Sequence, residues 1–224
     1  MISKNLLSRL SNEEFTRQCA YFGIAVSNGS ISKPLDHTDL ERFFLAATYN
    51  FDNSRLCEGS LCWLKKFALL LSPSKVRRLI AKNIPFDKAV LGGFLSFIIE
   101  NKLNHRQWMI LKSYTKKKKV LTSMYSGPQP KNPNPHFLKF NILVHDFQLD
   151  QNKFLLPIEA IYKNCIEIKN RALFGSIVNA DIASYLTHYP NANAYEISKE
   201  TANHKARVFK IHNTVRTAMM ATAS

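Results

Sequence analysis

Residues 193–220 read NAYEISKETANHKARVFKIHNTVRTAMM, and the organisation of the chain follows from them. Asn193 stands where a helix N-cap is needed, before the short helical stretch AYEISKET. Ala202-Asn203-His204 leaves room only for a tight connection. A second helix then runs KARVFKIHNTVRTAMM, with Val208, Ile211, Val215 and Met219 at helical spacing on one face. Upstream, Leu173, Phe174, Ile177, Ala180, Ile182, Ala183 and Leu186 predict a further helix from about Arg171 to His188, ended by Pro190 and the sequence NAN.

Working towards the N-terminus, residues 137–147 (FLKFNILVHDF) read as a strand, and Phe154-Leu155-Leu156 as its hairpin partner across QLDQNK. Residues 158–169 predict a short helix. Between Lys116 and Pro135 the chain is first basic and then carries four prolines in eight residues, which excludes a helix interior. Before that, apolar residues recur at helical spacing over 5–23, 39–51, 56–71, 73–80, 87–100 and 104–114. Asp39 is a natural N-cap, and Pro73 suits a first helical position. Gly92-Gly93 inside an apolar helix implies close packing or a kink.

The expected architecture is therefore mainly α. Residues 1–115 form an all-helical module for dimerisation or partner binding. Residues 116–136 are a basic, Pro-rich linker, and residues 137–224 are a short β-hairpin followed by a three-helix domain. A chain of 224 residues can bury a core of its own, and 46% hydrophobic with 21% charged residues excludes collagenous and wholly disordered classes. The longest apolar runs fall far short of a membrane span, and the first residues do not read as a secretory signal. Cys19, Cys57, Cys62 and Cys165 form no metal-binding spacing and are read as reduced thiols. These features predict a cytoplasmic protein with no membrane partner, no metal and no cofactor.

Charge supplies the first functional signal. The formal net charge is +15, from 31 Lys and Arg against 16 Asp and Glu. Residues 101–145 hold nine basic side chains and no carboxylate: Lys102, Arg106, Lys112, Lys116, Lys117, Lys118, Lys119, Lys131 and Lys139. Such a zone attracts polyanions by counterion release. The stretch from Thr201 to Ser224 likewise carries Lys205, Arg207, Lys210 and Arg216 and no acid.

Residues 196–211, EISKETANHKARVFKI, resemble a helix-turn-helix, and with the preceding helix the arrangement is similar to a winged helix domain. Ile197, Ser198, Val208 and Ile211 occupy the positions that the family keeps apolar or small. Ala202 stands where the family usually has Gly, Asn203 where it usually has an aliphatic residue, and Thr201 where it usually has Leu. Too few residues follow Met220 for a two-stranded wing. The resemblance covers about a quarter of the chain. It implies a second helix that enters the major groove of DNA. On this reading Lys205, Arg207, Lys210, Asn213 and Arg216 are exposed to DNA, with Arg207 pairing two atoms of guanine. Asn203, His204 and Lys199 join Lys210 at phosphates. Arg106, Lys112, Lys116–Lys119 and Lys131 hold flanking phosphates. The expected function is sequence-specific binding of double-stranded DNA, as a bacterial-type transcription regulator or repressor-like antitoxin, either as a homodimer or with a cognate protein partner.

Two other classes compete. Arg207 and His212 have the spacing of the Arg/His pair of HEPN-type ribonucleases, where Arg holds phosphate and His transfers a proton. The C-terminal helices also suit an adaptor that docks on a protein. No Gly-rich phosphate loop and no G-x-S-x-G context exist, and His145-Asp146 on a strand would point to opposite faces. No catalytic residue is assigned, and no enzyme is expected.

Overall fold

A computed structural model describes residues 12–26, 38–51, 53–103, 105–124 and 129–223. The fold is mainly α, with a small two-stranded parallel β element. The chain divides into two compact units, residues 1–160 and 161–224. This division falls 24 residues after the expected one at 136/137.

The first unit contains α1 (Asn12–Tyr21), α2 (Leu40–Tyr49), α3 (Ser54–Phe67), α4 (Pro73–Ala81), α5 (Lys88–Glu100) and α6 (His105–Trp108). The part of the expected first helix before residue 12 lies outside the described residues. Asp39 caps α2, its carboxylate accepting from the Arg42 amide at 2.8 Å. Pro73 opens α4, and Asn53 and Asp87 cap α3 and α5. The expected helix over 104–114 is shorter, because a 3-10 turn takes over at Met109–Tyr114.

The core of this unit is aromatic. Phe22 stacks on Phe43 at 4.5 Å, Trp63 meets Phe43 edge-on at 5.1 Å, and the Trp63 indole N–H donates to the Phe22 carbonyl at 3.0 Å. A second cluster joins Phe44, Phe51, Phe94 and Trp108. Beside these rings Lys75 is fully buried, its ammonium 2.8 Å from Asp39 and 3.3 Å from Glu41, which ties α4 to the start of α2.

Two short helices complete the first unit, α7 (Pro135–Leu138) and α8 (Gln151–Phe154). Here the structure corrects two expectations. Residues 116–136 are not a free linker where they are described. The Lys116 amide donates to Lys88, the Lys118 amide to Phe140, and the Asn141 side chain to the Lys118 carbonyl at 2.7 Å. There is also no hairpin between 137–147 and 154–156. Strand β1 (Thr122–Ser123) pairs in parallel with β2 (Ile142–Leu143), in register Thr122–Ile142 and Ser123–Leu143. Leu155 bridges to Ile24 instead, flanked by the bonds Ala25 N–H to Phe154 and Leu156 N–H to Gly23. Asn134 caps α7 with Pro135 in its first turn, and this helix delivers Phe137 into the aromatic core against Phe51 at 4.8 Å. A strand across 137–140 would have turned alternate side chains away from that core. Gly92 and Gly93 are the seats for α7. A β-carbon at Gly92 would lie 2.3 Å from the Phe140 ring, and one at Gly93 2.3 Å from the Phe137 ring. The glycine pair therefore serves close packing.

The division between units falls within α9 (Ile158–Asn164). The second unit continues with α10 (Ile166–Leu173), α11 (Ile177–His188), α12 (Ala194–Glu200) and α13 (Lys205–Ala223). The expected helices 158–169 and 171–188 are broken at Cys165 and at 174–176, where Cys165, Phe174 and Ser176 adopt extended backbone. The core is small and aliphatic, built on Val178, Ile182, Leu186, Ile197, Val208 and Val215.

Candidate nucleic-acid interface

The site begins at the N-terminus of α12. Asn193 accepts from the amides of Tyr195 and Glu196, each at 3.0 Å, and Glu196 accepts from the Asn193 amide at 3.0 Å. This reciprocal capping box satisfies the amides that a helix start leaves open. Ile197 and Ser198 are buried, and the Thr201 hydroxyl donates to the Ile197 carbonyl at 2.7 Å. Ala202 then adopts φ 53°, a left-handed conformation that L-residues rarely take. Four residues, 201–204, are enough to turn the chain from α12 into α13.

Thr201, Ala202 and Asn203 stand where the resembled family differs, and all three are buried. A polar network accommodates them. Asn203 donates from its amide to Asp181 at 2.7 Å and to the Thr201 hydroxyl at 3.0 Å. Asp181 in turn receives the buried Arg171 guanidinium at 2.7 and 3.2 Å. The Asn203 side chain, expected at phosphate, is instead engaged inside the unit. Nothing in the local sequence flagged Arg171 or Asp181, since both lie more than 20 residues before Asn203.

On α13, Val208, His212 and Val215 are buried, with Ile211 and Met219 half-buried beside them. His204, Lys205, Arg207, Lys210 and Asn213 are exposed, as is Lys199 on α12, while Arg216 is half-buried. These candidates do not share one face. At about 100° per residue, Lys205 and Arg207 lie about 160° apart, on opposite flanks of the buried stripe. Phe209 follows Lys205 by one turn and is 50% exposed. The Lys205 ammonium lies 5.1 Å from the Tyr195 ring centre and 5.5 Å from that of Phe209. The exposed face beside α12 is therefore basic and aromatic. Phe209, which the charge pattern of the sequence does not single out, belongs to it.

The ribonuclease reading loses its general acid or base. His212 is buried, with Nε2 3.3 Å from the Ala192 carbonyl and Nδ1 3.1 Å from the Asn213 side chain. It packs α13 onto the loop before α12 and offers no ring nitrogen to a substrate beside the exposed Arg207.

In the first unit, Lys102, Arg106, Lys112, Lys116, Lys117, Lys119 and Lys131 are exposed. Lys118 is half-buried, 3.9 Å from Asp87 and 3.7 Å from the Met124 sulfur. Lys139 pairs with Glu100, and this ammonium holds the Glu100 carboxyl below its ordinary value of 4.5. The anchored amides of residues 116 and 118 fix the backbone from which the exposed lysines project.

All four cysteines are buried; burial pushes the Cys62 thiol up to about 12 and also raises those of Cys19 and Cys165. Among the described residues no group of three His, Cys, Asp or Glu is placed to hold a metal ion, and no helix is long and apolar enough to cross a membrane. No family model, curated protein or solved structure compared with the chain matches it.

Proposed function

We propose that the second unit binds double-stranded DNA in a sequence-dependent way, with α13 in the major groove. The observation that carries this reading is the pairing of a capped short helix with a longer one through a left-handed residue. The longer helix exposes Lys205, Phe209, Lys210 and Asn213 with no carboxylate on it. A major groove about 12 Å wide admits a helix of this kind. Asn213, its oxygen facing His212, keeps its side-chain N–H groups for a base-edge acceptor such as adenine N7, and Phe209 suits the methyl group of thymine. Lys199, Lys205, Lys210 and Arg207 serve phosphates, Arg207 and Lys210 from the side of α13 away from Lys205. Arg106, Lys112, Lys116, Lys117, Lys119 and Lys131 supply a further, sequence-independent attraction. The biological role proposed is that of a cytoplasmic transcription regulator or repressor-like antitoxin. A homodimer fits the small contact area of one such helix pair.

Fluorescence anisotropy on duplex DNA tests this. Lys199→Gln with Lys210→Gln lowers the slope of log K against log salt by about 2, at about 0.9 per phosphate contact. Asn213→Ala costs about 1–3 kcal/mol on a preferred site and little on random DNA. Equal losses on both sequences would contradict base reading, and an unchanged salt slope would remove α12 and α13 from the interface.

A further inference from the structure

In the first unit, α5, the turn at Lys112–Thr115 and the residues after α7 enclose a cleft of about 300 Å³. Its floor is apolar, formed by Leu95, Ile99 and Phe140. Phe140 is held there because Gly92 leaves room for its ring against α5. The rim carries three lysines and one carboxylate. Glu100 is neutralised by Lys139 and also receives the Ser96 hydroxyl at 3.2 Å. Lys112 and Lys117 line the same cleft, are exposed, and meet no carboxylate among the described residues. An apolar floor under two uncompensated ammonium groups is a specific chemical demand. Nucleic acid would satisfy the lysines but leave Leu95 and Ile99 facing polar phosphate and sugar. A neutral apolar molecule would satisfy the floor and leave the charges unused.

We propose that this cleft binds a small amphiphilic anion, with an apolar body on Leu95, Ile99 and Phe140 and a phosphate or carboxylate head on Lys112 and Lys117. The volume matches the lower end of small-molecule sites, which are mostly apolar with few convergent polar groups. The two lysines act as point charges on flexible stems, whose methylenes extend the apolar wall. The inference is independent of DNA binding by α13, since every residue it uses lies in the first unit.

Isothermal calorimetry on the full chain tests it, with decyl phosphate below its micellar concentration as the probe. Decanol supplies the body without the head, and inorganic phosphate the head without the body. The expected result is one decyl phosphate per chain, bound at least tenfold more tightly than either. Lys112→Gln with Lys117→Gln weakens it at least tenfold, whereas Lys102→Gln with Lys131→Gln, the same loss of charge outside the cleft, changes it less than twofold. Ile99→Asp, at a half-buried position, abolishes binding in a protein whose circular dichroism is unchanged. Inorganic phosphate binding as well as decyl phosphate would overturn the proposal and leave the lysines a general polyanion surface. Decanol binding equally would reduce the cleft to apolar adsorption. Sedimentation with phosphatidylserine vesicles but no binding of the monomeric probe would also overturn it, in favour of a bilayer surface.

Discussion

The two units solve the same problem, that of burying charge, with different means and different consequences. The first has an aromatic core with ring contacts of about 5 Å and a buried ammonium, that of Lys75, shared by Asp39 and Glu41. In the second, the aliphatic core is small, and a chain of polar groups runs from Arg171 through Asp181 to Asn203 and Thr201. The first arrangement joins two helices of a large core. The second fixes the turn that aims α13, so charge buried inside the unit determines which residues remain outside it. The lesson is that polar residues can be buried at a tight turn between two helices when hydrogen bonds to a buried ion pair hold them.

The largest effect that separates the units is expected at Lys75. Lys75→Met leaves two carboxylates buried without their cation and costs about 3–5 kcal/mol, read as a lowered denaturation midpoint. A loss below about 1 kcal/mol would show that the ion cluster is solvated. Asp181→Ala should cost about 3 kcal/mol, because it strands a buried guanidinium and the Asn203 amide. It should also weaken DNA binding beyond the loss of folded protein, which Lys75→Met should not do. Ala202→Gly acts in the other direction. Relief of a left-handed L-residue, about 1–2 kcal/mol, exceeds the entropy of a glycine, so a net gain of about 0.5 kcal/mol is expected in chemical denaturation. The smallest effect belongs to Glu100. Its carboxyl is held low by Lys139, so this pair contributes stability above the ordinary value of 4.5 and loses it as pH falls through the folded value. The gap in thermal midpoint between wild type and Glu100→Gln should therefore close below that range. The gap stays small, because both side chains are about half exposed.

Much of the fold was legible where a local rule acts alone. Asp39, Pro73 and Asn193 mark helix starts by their own chemistry, and the period of Val208, Ile211 and Val215 names the inner face of α13. What misled was tertiary. Residues 137–140 alternate like a strand, but Pro135 and the demand of the core for Phe137 make a helical turn. Residues 116–124 look like a linker, yet their backbone is paired with partners as distant in sequence as Lys88 and Leu143. For the site, the exposed lysines were readable from charge alone. Asn203 and His212 were not, because their burial depends on Asp181 and Ala192. The angular separation of Lys205 and Arg207 is implicit in the sequence, but the position of α12 decides which flank matters.

The central claim is that α13 reads DNA with the flank that carries Lys205, Phe209 and Asn213. Selection from a pool of random duplexes at about 150 mM salt, where weak general contacts are screened, tests it most directly. The expected result is an enriched motif containing adenine and thymine that disappears with Asn213→Ala and Phe209→Ala and survives Arg207→Lys. No enrichment by the wild-type protein, or a motif unaffected by both substitutions, would contradict it.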